Sequence, residues 1–117
     1  AEAYAAKLFA GATELVIITR GPDGAEAYTP NTRAAAGAPK IEVADTVGAG
    51  DTLMGSMLAW LLEVCTGADQ KLSDLNAAQL AQMLTFGATA AAINCTRVGA
   101  APPPRAEIDA AVQRGYV

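Results

Sequence analysis

The sequence contains no histidine among its 117 residues. A Ser–His–Asp triad, a Cys–His pair and a zinc site with histidine ligands are therefore excluded within this chain. Any general base that the chain supplies must be a carboxylate or an amine. The candidates for proton transfer are consequently its acidic side chains and its lysines.

Charged side chains are scarce as well. They make up 17% of the residues and give a net charge of −4. No cluster of Lys and Arg provides the electrostatic footprint of a nucleic-acid-binding protein or of a membrane-surface helix. The longest strongly apolar stretch, residues 53–62, is too short to span a bilayer, and no secretory signal pattern opens the chain. We therefore expect no nucleic-acid partner and no membrane association.

Cysteine and tyrosine are also sparse. Cys65 and Cys95 stand in apolar surroundings without metal-ligand spacing, which predicts two reduced core thiols in a cytoplasmic protein. Tyr28 and Tyr116 are expected to lie half-buried at the surface. Hydrophobic residues, by contrast, make up 52% of the chain and can form a sizeable core for one small domain. Since the chain begins at Ala1 without a methionine, we expect a processed, cloned or partial sequence.

The first part of the chain predicts a helix, two strands and a turn. Residues 3–10 have apolar side chains on one side of a helix, and Gly11 is expected to end it. The continuous β-branched run 14–20 predicts a strand covered on both faces. A turn over 21–24 and a short strand over 25–29 follow from composition. A helix that leads directly into such a strand is half of a βαβ unit, so the predicted fold class is α/β.

The middle of the chain predicts an exposed connection and two further elements. Residues 30–40 contain Pro, Asn, Gly and Lys, which are typical of a loop. Alternation over 41–43 predicts another short strand. Residues 52–65 are apolar nearly all round, as in a helix buried inside a domain, and Gly67 is expected to stop that helix.

The last part of the chain predicts two helices separated by a proline-rich loop. Asn76 and Gln79 resemble a capping box, which would begin an amphipathic helix over 77–94. The loop is expected over 96–104 and a short final helix over 105–113. No internal repeat interrupts this order.

Residues 45–51, with the sequence DTVGAGD, form the most informative segment. Two glycines separated by one small residue stand where a loop enters a helix, so that successive backbone N–H groups can face one concave side. The first N–H groups of a helix also lack internal acceptors and carry the positive end of the helix dipole. The turn is therefore predicted to bind an anion such as a phosphate, and Asp51 places a carboxylate beside that anion.

Phosphoryl transfer requires this pairing of an anion pocket with a carboxylate. The N–H groups of Gly48, Ala49, Gly50 and Asp51 could stabilise charge on the transferred group, and the Asp51 side chain could accept the proton of the attacking hydroxyl. A P-loop is excluded because Asp51, rather than Lys, follows Gly50. A dinucleotide-binding turn is excluded because Leu53 stands where its third glycine belongs. The alternative is an ordinary glycine-rich helix start with an N-terminal aspartate.

These seven residues, followed by TLMG, resemble the second signature of the PfkB family of carbohydrate kinases. Residues 19–24 (TRGPDG) are similar to the T-x-G-x-x-G turn of that family, which contacts the nucleotide phosphates. Residues 88–93 and the loop 96–100 (TRVGA) are similar to its last core helix and the loop after it. The resemblance covers essentially all 117 residues. It implies the C-terminal part of a three-layer α-β-α ribokinase-like fold, and the N-terminal sugar-binding half and the lid are expected outside this chain.

The resemblance also implies roles for individual residues. Asp51 corresponds to the base that deprotonates the sugar hydroxyl. By the same resemblance, the anion hole corresponds to Gly48, Ala49 and Gly50, and the ATP contacts correspond to Thr19, Gly21 and Gly24. The region that faces the adenine corresponds to Gly87 and Ala88. A monovalent-cation site corresponds to Asp45, Val47 and Gly99.

The activity implied by the resemblance is transfer of the γ-phosphate of MgATP to a sugar hydroxyl, with K⁺ as a candidate further cofactor. The heptad, the helix LTFGATAAA and the ending RVGAAPP look most like bacterial fructokinases, so fructose is the expected acceptor. Ribose, a ketodeoxy-gluconate, a sugar phosphate or a nucleoside stay open as acceptors, as does a non-catalytic fragment that binds nucleotide or a partner chain. We expect the 117 residues alone to be inactive and not to stay monodisperse. A homodimer of the full-length protein is left open.

Overall fold

A computed structural model of the protein describes residues 2–67 and 69–115. Tyr116, one of the two tyrosines discussed above, lies outside the described residues. The helices are α1 (Glu2–Phe9), α2 (Ala49–Gly67), α3 (Ala77–Cys95) and α4 (Arg105–Gln113), and the strands are β1 (Val16–Thr19), β2 (Ala25–Tyr28) and β3 (Arg33–Ala36).

The strands form one antiparallel sheet in the order β1-β2-β3. Its register pairs Thr19 with Ala25 and Ala25 with Ala36. A single 3₁₀ turn, Gly21–Asp23, joins β1 to β2 and confirms the predicted turn. Gly24 follows with a φ of 96°, and a Cβ there would lie 2.1 Å from the carbonyl oxygen of Ala36. The tight return of the chain onto β3 therefore requires glycine at this position.

Helices cover both faces of the sheet. On one face, Ala5 of α1 is buried with Val16 and Tyr28. On the other face, Ala27 joins the main core cluster, which includes Leu84 of α3. The predicted covering of β1 is confirmed in part: Val16 packs on the α1 side and half-buried Ile17 on the α3 side, whereas Thr19 is exposed. The described elements form the expected α-β-α layers. Tyr28, expected half-buried, is instead only 5% exposed because α1 lies over it.

Two predictions for the region between the sheet and α2 are wrong. Residues 30–40, expected as a connection, contain the strand β3. Three of its four residues are alanines, which carry no β-branched or aromatic signal. Residues 41–43, expected as a strand, have no regular secondary structure. Val43 is 55% exposed, so the alternating pattern that suggested a strand does not bury an apolar side chain here.

The boundaries of the C-terminal helices are confirmed. The Asn76 side chain accepts the N–H of Gln79 at 2.8 Å, and the Gln79 side chain accepts the N–H of Asn76 at 3.0 Å. This capping box begins α3 as predicted, and α2 ends at Gly67. Helix α3 contacts α2, α4 and the strands β2 and β3, so it forms the centre of the core.

Helix α2, predicted to be buried nearly all round, is buried on one side only. Met57 and Leu61 face the core. Met54, Leu58 and Leu62 are 55%, 57% and 69% exposed. These three are four residues apart and lie on one side of the helix, and we call them the α2 stripe. No helix in the described ranges is long and apolar enough to cross a bilayer.

Candidate active site

The glycine turn lies at the N-terminus of α2, which begins at Ala49. Gly48 has a φ of 78°, a left-handed conformation that favours glycine. The Thr52 N–H donates to the Gly48 carbonyl at 2.8 Å, and the Ala49 N–H donates to the Thr46 carbonyl at 3.2 Å. A Cβ on Gly48 would lie 3.0 Å from the Cβ of Ala100. The turn is therefore packed against the loop that follows α3.

Most of the predicted anion donors are free in the described part of the chain. There, the backbone N–H groups of Gly48, Gly50 and Asp51 donate to no acceptor. The Ala49 N–H differs, because the Thr46 carbonyl already accepts it. Unpaired N–H groups at the positive end of a helix dipole are ready donors for a phosphate. The free N–H groups are therefore compatible with the anion site, which stays a prediction, and the Ala49 N–H holds the turn through its bond to Thr46.

Asp51 lies in the first turn of α2 and is exposed. Within residues 2–67 and 69–115 its carboxylate makes no ion pair, so it is free to meet a ligand. It borders an open groove of about 420 Å³ between α2, α4 and the loop after α3. Gly48 and Ser56 line the same groove. The remaining lining is largely apolar and includes Ala59, Pro102, Pro103 and Ile108.

Arg105 lies at the same groove but is held by its neighbours. Its guanidinium carbon is 4.7 Å from the centre of the Phe86 ring. The same group pairs with Glu63 at 2.5 Å and with Asp109 at 3.2 Å. The hydrogen bond to Glu63, and then that to Asp109, raises the pKa of Arg105 above its ordinary value. Arg105 is therefore already neutralised by carboxylates.

The residues of the predicted cation site lie together. One carboxylate oxygen of Asp45 accepts the Val47 N–H at 3.0 Å, and the other accepts the Gly99 N–H at 2.9 Å. The bond from Gly99, followed by that from Val47, lowers the pKa of Asp45, because hydrogen bonds to a carboxylate favour its charged form. Both oxygens of the Asp45 carboxylate thus already accept backbone N–H groups, and the Val47 carbonyl accepts the Asn94 side chain. Binding of a monovalent cation by these residues stays a prediction.

Asn94 is the residue of this region that sequence reasoning missed. It lies near the C-terminal end of α3 and is 0% exposed. Its side-chain N–H donates to the Val47 carbonyl at 2.8 Å, and its side-chain oxygen accepts the Ala101 N–H at 2.9 Å. The only signal in the sequence is one amide among small and apolar neighbours. That signal does not reveal which backbone groups the amide will meet.

The predicted phosphate contacts lie at a different place, the turn between β1 and β2. Thr19 and Gly21 are exposed there, whereas Gly24 is buried. The Arg20 N–H donates to the Gly24 carbonyl at 2.8 Å, and the Arg20 side chain pairs with Glu26 at 3.0 Å. None of these residues lines the groove beside Asp51. The described residues therefore do not bring the two predicted phosphate-binding regions into one groove.

Gly87, predicted to face the adenine together with Ala88, is buried where α3 crosses α2. A Cβ on Gly87 would lie 2.7 Å from the Cγ of Met57 and 2.9 Å from a methyl carbon of Leu53. Its missing side chain is thus used for close helix packing. Ala88 is partly exposed. A contact of either residue with adenine stays a prediction.

The layered fold and the turn at the start of α2 define the class: an α/β protein with free backbone N–H groups and a free carboxylate at one helix N-terminus. A model of the pfkB family of carbohydrate kinases matches residues 1–107. The chain belongs to this pfkB carbohydrate kinase family.

Curated relatives of the chain are sugar kinases. A fructokinase from Solanum tuberosum is 30% identical over 97 residues, which are 83% of this chain and 28% of that enzyme. A 5-dehydro-2-deoxygluconokinase from Shouchella clausii is 35% identical over 119 aligned positions, which are 99% of this chain and 32% of that enzyme. The chain therefore spans about a third or less of the length of these relatives.

Solved structures share the fold. A candidate ribokinase II from E. coli, in complex with ATP and Mg²⁺, is 27% identical, with a TM-score of 0.73 over 97% of this chain and 33% of its own. A fructokinase double mutant from Vibrio cholerae O395, in a form with bound fructose, ADP and potassium ion, is 28% identical, with a TM-score of 0.66 over 82% of this chain and 29% of its own. The chain is thus part of a ribokinase-like α/β fold.

Proposed function

We propose that the full-length protein is an ATP-dependent sugar kinase that phosphorylates fructose. One observation carries the proposal: the free N–H groups of Gly48, Gly50 and Asp51 lie beside the unpaired carboxylate of Asp51. The similarity to fructokinases supports fructose as the acceptor. The proposed compartment is the cytoplasm, for which the two unpaired thiols, Cys65 and Cys95, are the support.

In the proposed reaction, the Asp51 carboxylate orients the sugar hydroxyl and accepts its proton. The hydroxyl oxygen forms a bond to the γ-phosphorus while the bond from that phosphorus to ADP breaks. The free N–H groups of Gly48 and Gly50, aided by the α2 dipole, stabilise the charge on the moving phosphoryl group. Ala49 fixes the backbone path of the turn through its bond to Thr46. Magnesium bound with ATP would supply positive charge that neutralises the phosphate oxygens.

The nucleotide and cation contacts are part of the same proposal. Similarity to proteins solved with ATP and Mg²⁺, or with ADP and potassium, supports these ligands. Residues of the Asp45 loop and of the loop after α3 would hold the cation, which would supply only electrostatic support. The proposed phosphate contacts are Thr19, Gly21 and Gly24, the proposed adenine contacts are Gly87 and Ala88, and the proposed K⁺ site is formed by Asp45, Val47 and Gly99.

A second acceptor has its own support. The 5-dehydro-2-deoxygluconokinase aligns over 99% of this chain, more than the potato fructokinase does. A ketodeoxy sugar acid is therefore the alternative substrate of the same site. A sugar phosphate is disfavoured, because Arg105, the cation lining the groove beside Asp51, is already paired with Glu63 and Asp109.

The proposal is tested by a coupled ATP-consumption assay on the full-length gene product. Fructose, ribose and 5-dehydro-2-deoxygluconate are compared with and without magnesium, and fructose-dependent turnover is expected. Fastest turnover with the ketodeoxy acid would replace fructose by the alternative acceptor. A folded enzyme that turns over none of a broad set of sugars would overturn the proposed function.

Asp51→Asn tests the base in the same assay. We expect kcat to fall on the order of 10²-fold or more, because a positioned base is lost. Asp69→Asn is the matched control, since it removes the same charge from an exposed residue far from the glycine turn in sequence. Near-normal turnover of Asp51→Asn would show that another group accepts the proton.

A further inference from the structure

Two loops form the walls of the candidate anion site, and a single buried side chain joins them. One is the 45–48 segment, which leads into α2, and the other is the 97–101 segment, which follows α3. Asn94 donates to the Val47 carbonyl of the first and accepts the Ala101 N–H of the second, at 2.8 and 2.9 Å. Both halves of its amide are therefore used, and each half holds a different loop.

Further contacts close the same junction. The Asp45 carboxylate accepts the Gly99 N–H across the two loops at 2.9 Å. A Cβ on Gly48 would lie 3.0 Å from the Ala100 Cβ and 3.8 Å from the side-chain nitrogen of Asn94. Gly48 thus packs on Ala100, which lies between Gly99, bonded by Asp45, and Ala101, bonded by Asn94. The free N–H groups of Gly48, Gly50 and Asp51 start at this contact.

Burial of Asn94 needs a reason, because an amide without partners in a core is costly. Thr89 offers a comparison in the same helix. It is also 0% exposed, and its hydroxyl has no partner among the described residues. Thr89 contributes volume, whereas Asn94 joins two backbone segments. The specific pairing of both ends of the Asn94 amide points to a positional role.

We propose that Asn94 is a positioning residue that holds the N–H groups at the start of α2 in the orientation needed for phosphoryl transfer. The inference rests on the proposed kinase function. Stabilisation by preorganised donors depends on their fixed direction and acts mainly in the transition state. Loss of the Asn94 hydrogen bonds to the two loops should therefore lower kcat and leave the KM values for both substrates nearly unchanged.

The test uses Asn94→Leu in the full-length protein, because leucine keeps the volume and loses both hydrogen bonds. We expect kcat to fall by about 10- to 10²-fold, as for a misplaced catalytic group, with each KM changed less than about threefold. Asn94→Ser is a milder second variant, whose hydroxyl can bond one of the two loops. Its kcat should lie between those of the wild type and Asn94→Leu. Thr89→Val is the matched control: it removes a buried polar group from the same helix and should leave kcat unchanged.

Hydrogen exchange followed by mass spectrometry gives a readout independent of activity. In Asn94→Leu, residues 45–51 and 97–101 should exchange faster, while β2 and β3 keep the wild-type rate. Leu84→Ala, a core change away from the turn, shows what general destabilisation looks like. Faster exchange throughout the chain in Asn94→Leu, as in Leu84→Ala, would make Asn94 an ordinary core residue and overturn the inference.

The two proposals fail separately. An active wild type whose Asn94→Leu variant keeps its kcat would overturn the positioning role and leave the kinase function standing. A wild type inactive on every sugar would overturn the kinase function. In that case the exchange data still decide whether Asn94 holds the two loops, and unchanged exchange over 45–51 would overturn the inference.

Discussion

Glu26 shows how one side chain couples the sheet to the turn that precedes it. Its carboxylate accepts the Tyr28 hydroxyl at 2.7 Å and the Arg20 guanidinium at 3.0 Å. The bond from Tyr28, and then that from Arg20, lowers the pKa of Glu26 below its ordinary value of 4.5. The same carboxylate raises the pKa of Arg20 and of Tyr28. Arg20 is thereby held at the edge of the proposed phosphate turn.

This arrangement predicts an acid-side loss of stability. A carboxylate whose pKa is lowered by folding stabilises the protein above its unfolded pKa, and this contribution is lost as pH falls through the lower folded value. The Tm of the full-length protein, measured by thermal melts, should therefore fall as pH drops below about 4.5. Glu26→Gln should show a smaller fall, since glutamine does not titrate. Glu42→Gln, at an exposed position, is the control and should follow the wild type; identical curves for all three proteins would contradict the prediction.

At the scale of elements, glycines on adjacent helices have opposite roles. A Cβ on Gly87 would be 2.7 Å from Met57 and 2.9 Å from Leu53, whereas a Cβ on Gly55 would meet no atom within 4 Å. Alanine favours a helix interior by roughly 0.5–1 kcal/mol over glycine. Overpacking a core costs about 1–3 kcal/mol. At Gly55 the helix preference should therefore make Gly→Ala stabilising, and at Gly87 the overpacking should make it destabilising.

We therefore expect Gly55→Ala to raise the free energy of unfolding by up to about 1 kcal/mol. Gly87→Ala should lower it by about 1 kcal/mol, the net of the two effects. Urea unfolding of both variants beside the wild type measures the difference. A stabilising Gly87→Ala would show that α2 and α3 can separate without cost, and that the close crossing is not set by Gly87.

Local chemistry decided which elements the sequence could predict. The capping box at Asn76 and the stop at Gly67 act within a few residues, so α2 and α3 were predicted to within a few positions. The strand β3 depends on pairing with β2 and on packing against α3. An alanine-rich segment carries no local sequence signal for either contact. The glycine turn was predictable for the same local reason as the caps. Asn94 was not, because its partners lie 47 and 7 residues away in sequence.

At the scale of the whole molecule, the length of the full protein accounts for the exposed side of α2, which was predicted to be buried. The α2 stripe is 55–69% exposed in these 117 residues, yet its composition is that of a core. The relatives of the chain are about three times as long. We expect the remainder of the kinase domain in the full-length protein to cover the stripe, since burying such apolar surface is favourable.

This expectation is tested by making one change in two contexts. Leu58→Gln together with Leu62→Gln should reduce self-association of the 117-residue piece in analytical ultracentrifugation, because it removes an exposed apolar patch. In the full-length protein the same pair should lower the free energy of unfolding by several kcal/mol. Losing a buried leucine side chain costs about 2–5 kcal/mol in Leu→Ala changes, and glutamine would also bury an amide without partners. Val43→Gln, at a position that is 55% exposed but off the stripe, is the control and should do neither. Full-length protein that tolerates the pair with unchanged stability would show that the stripe stays exposed and would overturn the expectation.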